Sequence, residues 1–425
     1  MQHFDRRDFL RAAGGAGAMA ALYGCGAAGQ KASGHVVVVG GGFGGATAAK
    51  YLRMWSDGEL DVTLIERNNQ FVSCPISNLV LAGEKTLADI TVGYDGLEKR
   101  GVKVVQGDVV AVDAARRNVK LASGDTLGWD RLVLAPGIDF IYDNLPGLNS
   151  AAAQQTILHA WKAGAQTLAL RKQLEAMPDG GTYAICVPKA PYRCPPGPYE
   201  RACLVAWYFQ QNKPRSKVLI LDANEEVVSK KGLFMKVWAD AYKGIVEYRP
   251  QSELRDVDVA TRTAVLEFDK VKADVLNVVP PQRAGAIAQQ AGLINVNQRW
   301  CGIDWLSMES TAAKGIHVLG DATFPAPTMP KSGHMANQHA KLAAAAILNL
   351  LGGQPPSQEP LLTNTCYSFV DDRNVIHVTS VHAYDAPAKT LQPVKGAGGL
   401  SPAPNEIEGK FALAWAKNIW ADTLG

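Results

Sequence analysis

A glycine-rich turn follows a run of valines near the start of the chain, and its spacing suits a phosphate group. The strand-like run 35–39 leads into Gly40, Gly42 and Gly45, and small residues follow. The first glycine permits the sharp bend, the second lets a pyrophosphate approach the backbone, and the third lets helix and strand pack closely. Glu66 ends the next strand-like run, where an acidic side chain accepts ribose hydroxyls. These residues predict a dinucleotide site.

The cysteines are the second set of residues able to do chemistry. The chain has seven of them, and at 425 residues it does not need disulfides for stability. Cys74 lies in a loop after the second strand, Cys194 lies among prolines, and Cys366 lies far along the chain. A cysteine pair here indicates redox chemistry. The sequence contains no C-x-x-C-H motif, so the chain attaches no c-type haem of its own.

Length and charge limit the classes of function. The length predicts two or three domains. The net charge is +3 and the Lys and Arg residues are dispersed, so no nucleic-acid partner is expected. No apolar stretch reaches the roughly 18 to 20 residues that span a bilayer. The sequence therefore predicts a soluble mature chain without membrane contact, and no metal site.

The N-terminus predicts export. Arg6 and Arg7 precede a mildly apolar run over 12–24, which is typical of a twin-arginine signal peptide over 1–33. A fortuitous arginine pair on an amphipathic helix is the alternative. The signal predicts a periplasmic protein. The run 22–25 also resembles a lipoprotein cleavage box, which leaves lipid anchoring through Cys25 open.

The order of strand-like and helix-like segments predicts an α/β fold with two Rossmann-like, dinucleotide-binding-type domains, followed by a C-terminal α+β interface domain. The first domain is predicted at 34–145 and 271–352, the second at 146–270, and the interface domain at 353–425. In the second domain, the strand 181–187 runs into a proline-rich segment. Because prolines lack the N–H donors that a pyrophosphate needs, we expect no working nicotinamide site there.

Four segments carry a specific resemblance to a known family. The chain resembles the flavoprotein subunit of flavocytochrome c sulfide dehydrogenase, in the superfamily of glutathione reductase and sulfide:quinone oxidoreductase. The segments are 193–201, 280–285, 330–333 and 364–368. The resemblance implies a glutathione reductase-like fold that binds FAD. It also implies a periplasmic enzyme that oxidises hydrogen sulfide to sulfur or polysulfide and passes electrons to a c-type cytochrome subunit carrying the haem.

The resemblance assigns roles to several residues. It implies a thioether between FAD and Cys74, a redox disulfide between Cys194 and Cys366, and a carboxylate near that disulfide at Glu200. Each has an alternative: Cys74 is a buried unreactive thiol, Cys194 pairs with Cys203 or both thiols stay free, and Glu200 caps its own helix.

Two more residues are predicted to contact the flavin. Asp321 follows a strand-like run that returns to the first domain, where the resemblance implies hydrogen bonds to the ribityl chain. The alternative is that Asp321 caps a turn. Lys331 precedes a long Ala-rich helix predicted over 332–351, whose N-terminus stabilises negative charge on a reduced flavin.

Two other functions stay open. A sulfide:quinone oxidoreductase uses the same disulfide and flavin, but it needs a membrane-binding C-terminus. The chain ends in a short apolar helix predicted over 411–420, which docks on its own flavin domain, on the cytochrome or on a membrane interface. A non-catalytic flavoprotein partner of a sulfur-oxidation complex is the other alternative.

Overall fold

The computed structural model describes residues 33–425, so the predicted signal peptide and Cys25 lie outside the described residues. Its strands are, in chain order, β1 (His35–Val39), β2 (Asp61–Glu66), β3 (Phe71–Val72), β4 (Thr91–Val92), β5 (Lys103–Gln106), β6 (Val109–Asp113), β7 (Asn118–Leu121), β8 (Thr126–Gly128), β9 (Arg131–Leu134), β10 (Ile138–Phe140), β11 (Thr182–Val187), β12 (Lys217–Asp222), β13 (Val246–Arg249), β14 (Leu254–Asp258), β15 (Thr263–Leu266), β16 (Lys270–Lys272), β17 (Val275–Val278), β18 (Gln282–Ala284), β19 (Ile294–Val296), β20 (Trp300–Cys301), β21 (Ile316–Val318), β22 (Leu361–Phe369), β23 (Val375–Asp385) and β24 (Thr390–Leu400).

Its α-helices connect these strands and close the chain. They are α1 (Phe43–Trp55), α2 (Ser77–Ala82), α3 (Asp95–Lys99), α4 (Ala151–Thr156), α5 (Ala165–Ala176), α6 (Gly197–Asn212), α7 (Lys231–Asp240), α8 (Ala286–Gln290), α9 (Gly333–Leu351) and α10 (Glu406–Leu424). Short 3-10 turns lie at Ala88–Ile90, Pro146–Leu148 and Gly320–Ala322.

The first sheet is parallel, with the strand order β21-β9-β1-β2-β5. The valines Val36, Val37 and Val38 of its central strand have no exposed surface, as expected for a strand covered on both faces. Strand β21 returns to this sheet from late in the chain, as predicted. Between β5 and β9 the chain forms the small antiparallel sheet β6-β7-β8.

The second sheet is also parallel, with the order β13-β12-β11-β17. Helix α6 follows its strand β11. Strand β17 pairs with β11, so this sheet continues past residue 270, where the second domain was predicted to end. The domain limits stay a proposal, and we move this boundary to after Val278.

The C-terminal part combines the antiparallel sheet β22-β23-β24 with helix α10. Strand β23 is half-buried along most of its length. Helix α10 is longer than predicted, because the Asn405 side chain caps it by accepting the N–H of Glu408. Near its end, Asp422 accepts hydrogen bonds from Tyr51 at 2.5 Å and from Lys341 at 2.8 Å. The helix therefore docks on the chain's own first domain.

The predicted fold class is confirmed: two Rossmann-like units precede a C-terminal α+β part. Across residues 33–425, no helix combines the length and the apolar character that crossing a bilayer requires.

Candidate functional site

One cavity collects most of the predicted site residues. It lies where the β1–α1 turn, the start of α6, the start of α9 and strand β22 meet. Its wall includes residues from all three parts of the fold. Among the predicted residues, those that line it are Gly42, Glu66, Cys74, Cys194, Glu200, Asp321 and Cys366.

Gly40 and Gly45 shape the cavity without lining it. Gly40 has a φ of +97°, and a Cβ on it would lie 2.4 Å from the carbonyl oxygen of Ala135. A Cβ on Gly45 would lie 1.8 Å from the carbonyl oxygen of Gly40. Gly42 has open space beside it, since no heavy atom of residues 33–425 outside its own neighbourhood would lie within 4 Å of a Cβ there. The turn therefore has the close packing and free backbone that a pyrophosphate needs.

Glu66 lies at the end of β2 beside this turn. Its Oε2 accepts the backbone N–H of Gly41 at 2.6 Å, and its Oε1 accepts the backbone N–H of Asn68 at 2.9 Å. These bonds hold the carboxylate at the cavity wall. An acidic side chain at this place in a dinucleotide-binding fold accepts hydrogen bonds from ribose hydroxyls.

Asp321 gives the clearest sign that the cavity holds a polar ligand. Its Oδ1 is buried and has no hydrogen-bond partner among residues 33–425. Burial raises the pKa of this carboxyl group, and the charges of Arg193 and Lys331 oppose that rise. Buried polar atoms are rarely left without a partner, so this oxygen fits a hydroxyl-bearing cofactor such as FAD. The alternative role of Asp321 as a turn cap leaves that oxygen unexplained.

The side chain of Lys331 does not line this cavity. Its ammonium lies 3.6 Å from the centre of the Trp300 ring and donates to the carbonyl oxygens of Asp321 and Thr323. Burial lowers the pKa of Lys331 to about 7. Backbone carbonyls therefore satisfy the ammonium, and the direct contact of Lys331 with the cofactor stays a prediction. The start of α9, at Ser332 and Gly333, does line the cavity.

Cys74 is half-buried in the cavity wall, in the segment between β3 and α2. Its carbonyl oxygen accepts the backbone N–H and the hydroxyl of Ser77, which fixes the turn that carries the thiol. The position suits attachment of a cofactor, and the thioether stays a prediction.

The loop before α6 holds Cys194 in a fixed position. Its φ is +59°, its N–H donates to the carbonyl oxygen of Lys331, and its own carbonyl oxygen accepts the N–H of Gly197. A Cβ on Gly197 would lie 2.8 Å from the Cys194 sulfur, so glycine there leaves room for the thiol. Burial raises the pKa of Cys194, and the charges of Glu200 and Cys366 raise it further.

Cys366 lies on the edge strand β22, where its sulfur lies 3.4 Å from the Asn364 amide nitrogen. Burial raises the pKa of Cys366, and Lys230 and Asn364 oppose that rise. No disulfide joins any of the six cysteines within residues 33–425 in this structure. Cys203 is buried and accepts a hydrogen bond from Trp238, away from this cavity, so pairing of Cys194 with Cys203 is not supported. Pairing of Cys194 with Cys366 stays a prediction.

Glu200 links two elements instead of capping α6. Its Oε2 accepts from the Asn78 amide at 2.9 Å, and its Oε1 accepts the N–H of Phe369 at 2.9 Å. Burial raises the pKa of Glu200, and these two hydrogen bonds oppose the rise. The carboxylate therefore connects α2, α6 and β22 beside the thiols.

Two buried cations near the thiols were missed by the sequence reading. Arg201 lines the cavity and is 3% exposed. Lys230 is 5% exposed, and its ammonium donates to the carbonyl oxygen of Cys366 and to the hydroxyl of Ser368. Nothing local marks either residue as buried; only the adjacency of Arg201 to Glu200 was a signal.

The second Rossmann-like unit differs from a nucleotide site at its strand ends. Residues Pro188–Pro196 separate β11 from α6, so no tight strand-to-helix turn forms. Asp222 ends β12 with no exposed surface and accepts hydrogen bonds from Tyr199 and Tyr248. This carboxylate is therefore hydrogen-bonded within the protein, and the loss of a nicotinamide site stays a prediction.

The fold and the cavity define a flavin-dependent oxidoreductase, and residues 34–174 match the model of the pyridine nucleotide-disulphide oxidoreductase family. Residues 167–280 match the central domain of the "sulfide dehydrogenase [flavocytochrome c] flavoprotein chain", and residues 358–424 match the "flavocytochrome c sulphide dehydrogenase, flavin-binding" domain. The chain therefore belongs to the family of flavoprotein chains of flavocytochrome c sulfide dehydrogenase. Residues 3–23 match the twin-arginine translocation signal.

Individual relatives agree with this assignment. The chain is 62% identical over 46 residues to the sulfide dehydrogenase flavoprotein chain of Chlorobaculum thiosulfatiphilum, a match covering 11% of this chain and 94% of that one. It is 23% identical over 344 residues to mouse mitochondrial sulfide:quinone oxidoreductase, covering 76% and 72% of the two chains. The solved structure of the Aquifex aeolicus sulfide:quinone oxidoreductase superposes with a TM-score of 0.75 at 18% identity, covering 92% and 91%. That last likeness concerns the fold alone.

Proposed function

We propose that this protein is the flavoprotein subunit of a periplasmic sulfide dehydrogenase. In this proposal it oxidises hydrogen sulfide to sulfur or polysulfide through a redox disulfide between Cys194 and Cys366, with FAD attached at Cys74. The observation that carries the proposal is that these three cysteines, from separate parts of the chain, line one cavity.

The sulfur chemistry begins at the disulfide. Hydrosulfide attacks one of its sulfurs, which breaks the S–S bond, forms a persulfide on that cysteine and releases the other cysteine as a thiolate. The persulfide and the thiolate then lose two electrons and one proton together. A new S–S bond joins them into a trisulfide bridge that contains the substrate sulfur. The fixed loop around Cys194 and the hydrogen bond from Asn364 to Cys366 support this exchange by holding both sulfurs at the cavity wall.

The chain's own groups fit FAD. The glycine turn and Glu66 suit its adenosine and pyrophosphate part, and Asp321 supplies a buried oxygen for its ribityl hydroxyls. When bound, FAD accepts an electron pair and passes electrons on singly. A thioether at Cys74 would keep the cofactor from being lost outside the cell.

Glu200 is proposed to hold and move the proton of this reaction. Its raised pKa, caused by burial, keeps the carboxyl group able to take up and release a proton closer to neutral pH. Because Asn78 and the N–H of Phe369 fix both of its oxygens, the proton is held at a defined place beside Cys194.

The proposed electron acceptor is a haem on a c-type cytochrome subunit. The altered second Rossmann-like unit and the family membership support a partner other than nicotinamide. The twin-arginine match supports export to the periplasm. Lipid attachment at Cys25 is the remaining alternative to a freely diffusing mature chain.

A quinone is the second candidate acceptor. One feature favours it: α10 exposes the apolar side chains of Ile407 and Phe411, which suit an interfacial helix. The same exposed face also suits a protein partner, so the acceptor must be tested directly.

The test uses the purified FAD-loaded protein under anaerobic conditions with sulfide and, in parallel, a soluble c-type cytochrome or a short-chain quinone. We expect sulfide-dependent cytochrome reduction, and its loss in Cys194→Ser and Cys366→Ser variants that retain bound flavin. Cys203→Ala, on helix α6 but away from the cavity, is the control and should stay active. Preferential quinone reduction would support the second candidate, and a wild-type flavin that sulfide never reduces would support a non-catalytic partner.

A further inference from the structure

Arg201 is a buried positive charge in the wall of the cavity. It follows Glu200 on α6, it is 3% exposed, and its guanidinium stacks 4.8 Å above the Trp161 ring. Arginine is seldom buried this completely unless a carboxylate pairs with it.

Its hydrogen bonds all go to uncharged acceptors. Nε donates to the Asn78 side-chain oxygen at 3.0 Å, and Nη2 donates to the carbonyl oxygen of Ala160 at 2.7 Å. Nη1 donates to the carbonyl oxygen of His159 and to the Asn277 side-chain oxygen, both at 2.9 Å. Among the ion pairs of residues 33–425, none involves Arg201. The guanidinium is thus held rigidly while its charge is not neutralised by direct contact.

An unneutralised charge in a weakly polarisable interior acts over a longer range than one in water. The titratable groups that Arg201 influences are Tyr183, Cys194, Glu200, Cys74 and His159. Two of these are Cys74 and Cys194, which line the same cavity wall as Arg201 and therefore face its positive charge. Burial lowers the pKa of Arg201 itself, but an arginine stays protonated throughout the physiological range.

We propose that Arg201 is a positioning residue that makes the cysteine-bearing side of the cavity, defined by Cys74, Cys194 and Cys366, selective for anionic sulfur species. In the proposed function, on which this inference rests, those species are the hydrosulfide anion and the cysteine thiolates. The fixed guanidinium draws the anion in and favours thiolate release without contacting the substrate itself. Asn78 couples this charge to Glu200, since its oxygen binds Arg201 and its amide binds Glu200.

The first test measures the charge around the thiols and requires no sulfide turnover. The FAD-loaded protein is reduced with dithiothreitol and freed of excess reductant, and Cys194 and Cys366 are alkylated with anionic iodoacetate or neutral iodoacetamide. Peptide mapping gives, at each cysteine, the alkylation rate with iodoacetate divided by the rate with iodoacetamide. In wild type, that ratio should exceed the ratio for free N-acetylcysteine. Arg201→Gln should lower it about tenfold, and Arg201→Lys should retain most of it.

Arg299 provides a matched control. It also stacks on a tryptophan, at 5.1 Å from the Trp300 ring, and donates to the carbonyl oxygens of Gln282 and Pro191, but it does not line the cavity. Arg299→Gln should leave the alkylation ratio unchanged. An unchanged ratio in Arg201→Gln would overturn the inference. If Arg201→Gln does not fold, the wild-type protein and Arg201→Lys decide the question. A wild-type alkylation ratio no higher than that of N-acetylcysteine overturns the inference. A higher wild-type ratio that Arg201→Lys retains supports the inference.

A second readout follows flavin reduction by sulfide in a stopped-flow instrument. Arg201→Gln should raise the sulfide concentration for half-maximal rate about tenfold, and Arg201→Lys should restore it. If wild-type flavin is not reduced by sulfide, the proposed function fails while the alkylation result still decides the role of Arg201. If wild type is reduced and Arg201→Gln behaves identically, only the present inference fails.

Discussion

Replacing Lys230 by methionine should destabilise the strand that carries Cys366. The Lys230 ammonium donates to the carbonyl oxygen of Cys366 at 3.1 Å and to the hydroxyl of Ser368 at 2.8 Å. A third acceptor is the carbonyl oxygen of Ile376, at 3.4 Å. Each buried acceptor left without its donor costs about 1–3 kcal/mol, so we expect Lys230→Met to lower the free energy of unfolding by several kcal/mol.

The size of this effect should depend on pH. Burial lowers the pKa of Lys230 from 10.5 to about 8, a difference of about 2.5 units or about 3 kcal/mol. Between about pH 8 and pH 10.5, Lys230 holds its proton in the unfolded chain but not in the folded one. The contribution of Lys230 to the free energy of unfolding therefore rises as the pH rises through this range. Wild type should gain about 2 kcal/mol between pH 7 and about pH 9.5, and the variant should lack that gain.

Denaturant unfolding of the FAD-loaded protein at the two pH values measures this difference. Lys231→Met is the control, because Lys231 is the adjacent residue, is exposed and forms an ion pair with Glu226 on the surface. That variant should keep both the stability and the pH dependence of wild type. If Lys230→Met and wild type change equally with pH, the reasoning about a buried, deprotonating Lys230 is refuted.

Three further predictions concern the cofactor and the C-terminal helix. Gly45→Ala should abolish flavin retention, because the new Cβ would lie 1.8 Å from a backbone oxygen. Gly232→Ala is the control and should retain the flavin, because a Cβ there meets open space. The flavin absorbance per chain measures retention in both variants. Cys74→Ser should remove the FAD adduct from the intact mass of the denatured chain, and an unmodified denatured wild type would contradict the thioether. Asp422→Asn should weaken docking of α10, because Tyr51 and Lys341 lose a charged acceptor. Limited proteolysis should then cleave α10 faster in the variant than in wild type. Equal cleavage rates would count against this contact.

Local patterns in the sequence were sufficient for the nucleotide-binding part of the fold. The valine run, the glycine spacing and Glu66 each have a local physical cause, and the structure places them together at the end of β1. The cysteines and Glu200 were found through family resemblance, and the cavity then brought them together. Helix α10 was predicted too short, because its polar first turn and the Asn405 cap do not read as part of an apolar helix.

The buried cations show what sequence patterns could not give. The sequence did not show that carbonyl oxygens of the neighbouring turn and the Trp300 ring hold the ammonium of Lys331. Arg201 and Lys230 resemble ordinary surface residues in the sequence. Their burial depends on contacts with segments far along the chain, such as Asn277 for Arg201 and Cys366 for Lys230. Only the folded arrangement reveals those partners.

The central claim is that Cys194 and Cys366 form the disulfide that sulfide opens. Peptide mapping of the oxidised, FAD-loaded protein, quenched before and after one anaerobic equivalent of sulfide, tests it most directly. We predict a Cys194–Cys366 linked peptide before addition, and its replacement by a persulfide or a sulfur-bridged peptide as the flavin absorbance falls. Free thiols at both positions before addition, with the flavin still bleached by sulfide, would contradict the account.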